Sequence, residues 1–154
     1  QTTPNQVLQV KGFRAQIADK YPGIKECTWE ADNSDAGIAA QMFTSMIAAY
    51  PEMNYVWIIE GAAPGAVPAA FAEAGKKPGE IQVLAVDAQA ATLQAIRDGW
   101  ITGTLNQLFF DAVIDGEPWG KGTVTRVIEA INGTEQPKFV DAGVELITKD
   151  NLPE

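Results

Sequence analysis

Three short apolar runs separated by helical stretches constrain the fold of this chain more than any other feature. The runs cover residues 55–59, 81–86 and 101–107. Apolar runs of this length, alternating with helical stretches, are typical of parallel strands that are buried on both faces of a sheet. The sequence therefore predicts an α/β fold with a mostly parallel sheet and helices on both faces.

Polar side chains stand at the points where these strands should end. Glu60 comes directly after the first run, Asp87 comes after the second, and Gln107 closes the third. Small ligands bind at the carboxyl ends of the strands in open α/β sheets, so we expect these three side chains to converge on one ligand. The alternative is that they cap neighbouring helices or face water, and position alone does not separate the two interpretations.

Helix and strand signals extend over the rest of the chain. They predict helices over residues 5–19, after the capping segment Asp32-Asn33-Ser34-Asp35 as far as Pro51, up to Ala74, around 92–96 and over 123–131, and further strands over 24–29 and 144–148. Cys27 lies inside the apolar run 24–29, where we expect a small buried thiol. The glycine-rich segment 61–66 lets the backbone approach a neighbour or a ligand closely, but it lacks the spacing of a phosphate-binding loop.

Length and charge exclude several classes of function. The 154 residues suit one domain that can bury a real core. A net charge of -9 argues against nucleic acid as a partner and against an anionic membrane surface. The chain has no histidine and one cysteine. This removes the commonest general base and the usual zinc sites, and we expect no cofactor and no metal.

Several short motifs occur in the order and spacing of one known family. They are Lys11-Gly12-Phe13, Ala49-Tyr50-Pro51, Pro64-Gly65-Ala66, Val86-Asp87, Ala95-Ile96-Arg97-Asp98-Gly99, Gly103-Thr104 with Gln107, and Leu146-Ile147-Thr148-Lys149-Asp150-Asn151. With these motifs the chain resembles the C-terminal lobe of a periplasmic sugar-binding protein of the ribose-binding type. The resemblance implies one lobe of a type I periplasmic binding protein fold, in which two α/β lobes close on a sugar.

The resemblance also implies ligand-binding residues. The family's strand-end aspartate falls on Asp87 and its hinge-side glutamine falls on Gln107. Glu60 stands where an asparagine or aspartate is usual, and Gln9 stands where an arginine is usual, so the identity of the sugar stays open. Trp29 is the aromatic residue that would cover the sugar ring. Such a set suits a polyhydroxy ligand, because carboxylates accept hydrogen bonds and amides both donate and accept them.

Partners and location follow from the same resemblance. Residues 1–154 would form the C-terminal ligand-binding lobe, and residues 108–140 would pack on an N-terminal lobe that is not in the sequence. The family's first central strand also precedes the sequence given, so we expect a longer or processed protein, completed by that lobe or by a second copy. The full protein would be periplasmic or extracellular, lipid-anchored or soluble, and would deliver a monosaccharide or polyol to the membrane permease of an ABC transporter.

Two other classes of function remain open at this point. The same fold serves as the sugar-sensing effector domain of transcription regulators and receptors, although no DNA-binding helices occur here. A glycoside-acting enzyme would place Glu60 and Asp87 on either side of a sugar bond. Nothing in the sequence indicates a raised pKa for either carboxyl, and we therefore predict that the chain is not an enzyme.

Overall fold

The computed structural model describes residues 3–107, 113–114, 117–138 and 143–153, of which 113–114 and 117–121 are described by their backbone alone. The helices are α1 (Pro4–Lys20), α2 (Ala36–Ala49), α3 (Val67–Glu73), α4 (Ala90–Arg97) and α5 (Trp119–Ile131), with short 3₁₀ turns at Ala63–Ala66 and Lys149–Asn151. The strands are β1 (Tyr55–Trp57), β2 (Gln82–Val86), β3 (Gly103–Gln107), β4 (Val113–Ile114), β5 (Glu117–Pro118) and β6 (Val144–Thr148).

Four of these strands form the main sheet, in the order β1-β2-β3-β6. The first three are parallel, with Val56 opposite Val83 and Ala85 opposite Thr104. Strand β6 returns antiparallel along β3. The two parallel connections run through α3 and α4, as the alternating pattern predicts. The α/β fold class with a mostly parallel sheet is therefore confirmed.

The core lies between one face of the sheet and helices α2, α3 and α4. Helix α2 buries the row Ala39, Phe43 and Ile47, which recurs every four residues. The ring of Phe43 meets the ring of Phe71 edge to face at 5.8 Å between centroids. Val83 at the centre of β2 is completely buried. This face of the sheet therefore holds the main hydrophobic cluster of the described residues.

On the opposite face of the sheet, helix α1 contacts β1 through aromatic rings. Trp57 follows the core residue Val56 in β1, so its side chain points to the other face. The Phe13 ring stacks on Trp57 with 4.2 Å between centroids. Helix α1 buries no residue completely. Helices therefore lie on both faces, but the packing on the α1 side is much thinner.

The predicted strand at residues 24–29 is wrong. This segment has no regular structure, and no strand of the described sheet lies beyond β1 to pair with it. A strand forms only where a neighbour takes its backbone hydrogen bonds, so an apolar run without a neighbour stays outside the sheet. The prediction of a buried thiol fails for the same reason, because Cys27 on this segment is exposed.

The region after β3 forms a small unit of its own. Strands β4 and β5 pair as an antiparallel hairpin that the sequence did not predict, and α5 begins at Trp119 rather than at Thr123. Residues 108–112, 115–116 and 139–142 lie outside the described residues.

No helix in the described part of the chain is long and apolar enough to cross a membrane.

Candidate functional site

Asp87 occupies an unusual backbone position at the end of β2. Its φ of 70° lies in the left-handed region, which few residues other than glycine adopt. Its backbone N–H donates to the carbonyl of Leu105 at 2.9 Å, and its carbonyl accepts from the buried hydroxyl of Thr104 at 2.9 Å. Both contacts come from β3, so the neighbouring strand holds Asp87 in this conformation.

The side chains of Asp87 and Gln107 meet at the carboxyl edge of the sheet. Gln107 is the last residue of β3, and its Nε2 donates to Oδ1 of Asp87 at 2.7 Å. Both side chains are half-buried. These two residues therefore converge on one rim of the sheet, as expected. Their hydrogen bond leaves Oδ2 of Asp87 and the side-chain oxygen Oε1 of Gln107 as acceptors for a ligand.

Gly61 forms the floor beside this pair. A β-carbon built on Gly61 would lie 3.0 Å from Oδ2 of Asp87 and 2.5 Å from Nε2 of Gln89. Real β-carbons do not approach other atoms as closely as 2.5 Å, so a side chain at this position would displace its neighbours. The glycine-rich segment after Glu60 therefore allows the close approach that the sequence predicted, and the group that approaches includes Gln89.

Glu60 lies next to this floor, but its carboxylate is used to cap the helical segment that follows. Its oxygens accept from the backbone N–H of Ala62 at 2.8 Å and of Ala63 at 2.5 Å. Burial raises the pKa of Glu60; the two backbone donors lower it, and the nearby carboxyl of Asp32 raises it further. Glu60 therefore follows the alternative interpretation, in which a strand-end residue caps a neighbouring helix.

The two remaining candidates lie on the other side of the sheet. Gln9 is half-buried on α1. Trp29 is 37% exposed and meets Trp57 edge to face at 6.1 Å between ring centroids. The guanidinium of Arg14 lies 5.5 Å from the centre of the Trp29 ring. No hydrogen bond or ring contact joins Gln9 or Trp29 to Asp87 or Gln107 in the part of the chain that the structure describes.

Other possible sites are weaker. A depression of about 440 Å³ at the start of α1 is lined by Thr3, Gln6, Asn33 and Ser34. None of the five candidate residues is among these lining residues. Among the described residues, no group of three or more acidic, cysteine or histidine side chains could hold a metal ion. The polar edge around Asp87 therefore remains the best-supported site.

Comparison with known proteins decides the family. The sequence profile described as "Periplasmic binding protein domain" matches residues 1–114. The chain belongs to the periplasmic binding protein family. This is a family of substrate-binding proteins rather than of enzymes. None of the curated proteins matches the chain in sequence.

Solved structures of the family share the fold over nearly the whole chain. A solute-binding protein of an ABC transporter from Burkholderia graminis C4D1M, in complex with D-arabinose, is 28% identical over 96% of the chain with a TM-score of 0.83. A carbohydrate-transporter solute-binding protein from Agrobacterium radiobacter, also with D-arabinose, is 25% identical over 97% with a TM-score of 0.83. A glucose-galactose binding protein from Geobacillus stearothermophilus has the same fold at 20% identity over 97%, with a TM-score of 0.82.

The chain covers only about half of each of these periplasmic binding proteins. The shares are 50%, 49% and 50% in the same order. The resemblance to one lobe of a periplasmic sugar-binding protein is therefore confirmed.

Sequence reasoning missed Gln89 as a neighbour of Asp87. One signal was available, because Gln89 precedes a helix at a position where serine, threonine, aspartate and asparagine are the usual capping residues. A glutamine there is unusual, and its longer side chain reaches further than a cap requires.

Proposed function

We propose that this chain is the C-terminal ligand-binding lobe of a sugar-binding protein that serves uptake by an ABC transporter. The ligand is a monosaccharide or polyol, held at the edge formed by Asp87 and Gln107. The observation that carries the proposal is the 2.7 Å hydrogen bond that joins these two side chains at the carboxyl ends of β2 and β3. This pair offers a charged acceptor and an amide, which together match the donors and acceptors of sugar hydroxyls.

The family supports the ligand class. Two related structures that align over nearly all of this chain hold D-arabinose. Asp87 is the main contact from this lobe, while Gln107 orients it and offers a carbonyl oxygen of its own. Glu60, Gln9 and Trp29 remain proposed ligand residues, and contacts to the second lobe would be needed to bring Gln9 and Trp29 to the same ligand.

The other half of the binding site is formed by an N-terminal lobe or by a second copy of this chain. Closure of two lobes around a ligand is a hinge motion that excludes water from the site. We propose that residues 108–140 pack on that other lobe, that the assembled protein delivers its sugar to a membrane permease, and that it acts in the periplasm or outside the cell.

One lobe alone should bind sugar weakly. Half of the free energy of a micromolar complex corresponds to a dissociation constant on the order of millimolar. We expect titration of the isotope-labelled chain with D-arabinose, followed by NMR, to shift the backbone amide of Asp87 and the side-chain amide of Gln107 with an affinity of that order. An affinity in the micromolar range would contradict the proposal that a second lobe or a second copy completes the site.

The variant Asp87→Asn tests the role of the carboxylate. Asparagine tolerates the left-handed backbone that Asp87 adopts, so the change removes the charge without straining the turn. Hydrogen bonds to charged groups contribute about 1 kcal/mol more than neutral ones, so we expect binding about fivefold weaker.

The matched control is Asp98→Asn, which changes an exposed aspartate at the end of α4. An equal affinity of wild type and Asp87→Asn for every sugar of a panel would remove Asp87 from the site.

A further inference from the structure

The side chain of Gln89 lies beside the proposed site without a structural role of its own. Gln89 is the residue before α4, yet its side chain does not cap the helix. The backbone carbonyl of Gln89 accepts from Leu93 N–H, but its side chain makes no hydrogen bond to any residue that the structure describes, and the residue is exposed. Its amide nitrogen instead lies close to Gly61. A β-carbon built on Gly61 would be only 2.5 Å from this nitrogen.

Gln89 and Asp87 share this position over Gly61. Oδ2 of Asp87 and Nε2 of Gln89 both lie within 3.0 Å of the same point, the place where the β-carbon of residue 61 would stand. Oδ1 of Asp87 already accepts from Gln107. The acceptor of Asp87 that remains for a ligand is therefore the one next to the amide of Gln89.

We propose that Gln89 is a specificity-determining residue that binds, through its side-chain amide, the sugar hydroxyl held by Oδ2 of Asp87 or the hydroxyl next to it. Hydrogen bonds of about 3 Å from one hydroxyl oxygen can bridge two groups that lie this close together. The hydroxyl donates to the carboxylate and accepts from the amide, so both of its hydrogen-bonding capacities are used. This inference rests on the proposed function, because it needs a sugar at Asp87.

Gly61 is the positioning residue for this arrangement. Its backbone dihedrals are compatible with alanine, because φ at Gly61 is outside the left-handed region. The methyl group of Gly61→Ala would nevertheless meet Nε2 of Gln89 and Oδ2 of Asp87. The variant should therefore keep the fold and displace both ligand-binding groups.

The first part of the test is an NMR titration of the wild-type chain with D-galactose and D-fucose, two sugars that differ by one hydroxyl. The side-chain amides of Gln89 and Gln107 are read separately. We expect both to shift with the same sugar dependence. Shifts at Gln107 and Asp87 without one at Gln89 overturn this inference alone, whereas no shift at any of the three overturns the proposed function together with it.

The second part compares affinities of variants across a panel of sugars and their deoxy analogues. A neutral hydrogen bond contributes enough that Gln89→Ala should bind about two- to tenfold more weakly. The loss should vanish for the analogue that lacks the hydroxyl bound by Gln89, which a merely structural role would not produce. Gly61→Ala should weaken binding at least as much.

The controls are Gln41→Ala, an exposed glutamine on α2, and Gly12→Ala, where a methyl group would meet nothing within 4 Å. Both should bind as the wild type does. If Gln89→Ala keeps the wild-type affinities for the whole panel, or loses the same factor for every sugar and analogue, the inference is overturned.

Discussion

At the scale of single residues, Asp87 and Glu60 show how similar positions lead to different roles. Each is an acidic residue that follows a strand of the parallel sheet. The left-handed backbone of Asp87 is held by two contacts from β3. Non-glycine residues held in such conformations cluster at functional sites. The carboxylate of Glu60 instead accepts from the N–H groups of Ala62 and Ala63, so it organises the backbone beside the site.

The raised pKa of Glu60 predicts how stability depends on pH. The folded protein binds the Glu60 proton more tightly than the unfolded chain does, because burial and the carboxyl of Asp32 disfavour the charged form. The stabilisation from this group is therefore complete below the ordinary pKa of glutamate, and it is lost as the pH rises through the raised native pKa. We expect the stability of Glu60→Gln to rise relative to that of the wild type as the pH increases from the ordinary pKa of glutamate through the raised native pKa of Glu60. Urea unfolding at a series of pH values measures this difference.

Two further variants define this effect. Asp32→Asn should reduce the pH dependence, because it removes one of the groups that raise the pKa of Glu60. Glu73→Gln, at an exposed position on α3, accounts for the loss of one negative charge. If the difference between Glu60→Gln and the wild type stays constant from acid to neutral pH, the proposed coupling is wrong.

At the scale of elements, α1 and α2 differ in what holds them. Helix α2 begins at Asp35, whose carboxylate accepts from the N–H groups of Gly37 at 2.8 Å and Ile38 at 3.0 Å. It also buries three residues in the core. Helix α1 is longer but buries none, and its main ring contact is the stacking of Phe13 on Trp57. Packing, rather than helix length, should therefore decide which helix is more stable.

Hydrogen exchange can measure this difference directly. We expect the backbone amides of α1 to exchange through local opening, well before those of α2 open with the core. The variant Phe13→Ala should speed exchange in α1, because a stacked aromatic pair contributes about 0.5–1.5 kcal/mol beyond its buried area. The amides of α2 in the same sample serve as the internal control. Equal protection of the two helices would show that α1 is anchored by more than this contact.

At the scale of the whole molecule, α5 presents an apolar stripe to solvent. The stripe consists of Val124, Val127, Ile128 and Ile131, of which Ile131 is 78% exposed. Exposed apolar patches of this kind mark association surfaces, and the chain spans only about half of the related proteins.

Sedimentation should reveal association through this stripe. We expect the isolated chain to form dimers or larger species as its concentration rises, because more than half of each side chain in the stripe is exposed. Ile128→Ser should shift the equilibrium toward the monomer. Ile38→Ser, an exposed isoleucine on α2, is the matched control. A monomer at all concentrations would show that the stripe needs no partner.

Much of the fold could be predicted from the sequence, because its signals are local. Apolar runs and helix boundaries placed β2, β3 and β6 within a residue or two. The start of α2 was marked by the segment Asp32-Asn33-Ser34-Asp35, of which Asp35 is the capping residue in the structure. The strand-end positions of Asp87 and Gln107 followed from where the apolar runs stop, and their convergence was expected from the rule that ligands bind at the carboxyl ends of parallel strands. Their hydrogen bond needed only that β2 and β3 be neighbours.

Features that depend on contacts between residues distant in sequence were decided only by the tertiary structure. Residues 24–29 have strand-like composition, but a strand needs a neighbour for its backbone groups, and none is present beside β1 in the described sheet. The exposure of Cys27 follows from that absence. The capping of the following helical segment by Glu60 and the approach of Gln89 to Gly61 likewise depend on side-chain directions. Contacts between elements set those directions, and composition and periodicity do not encode them.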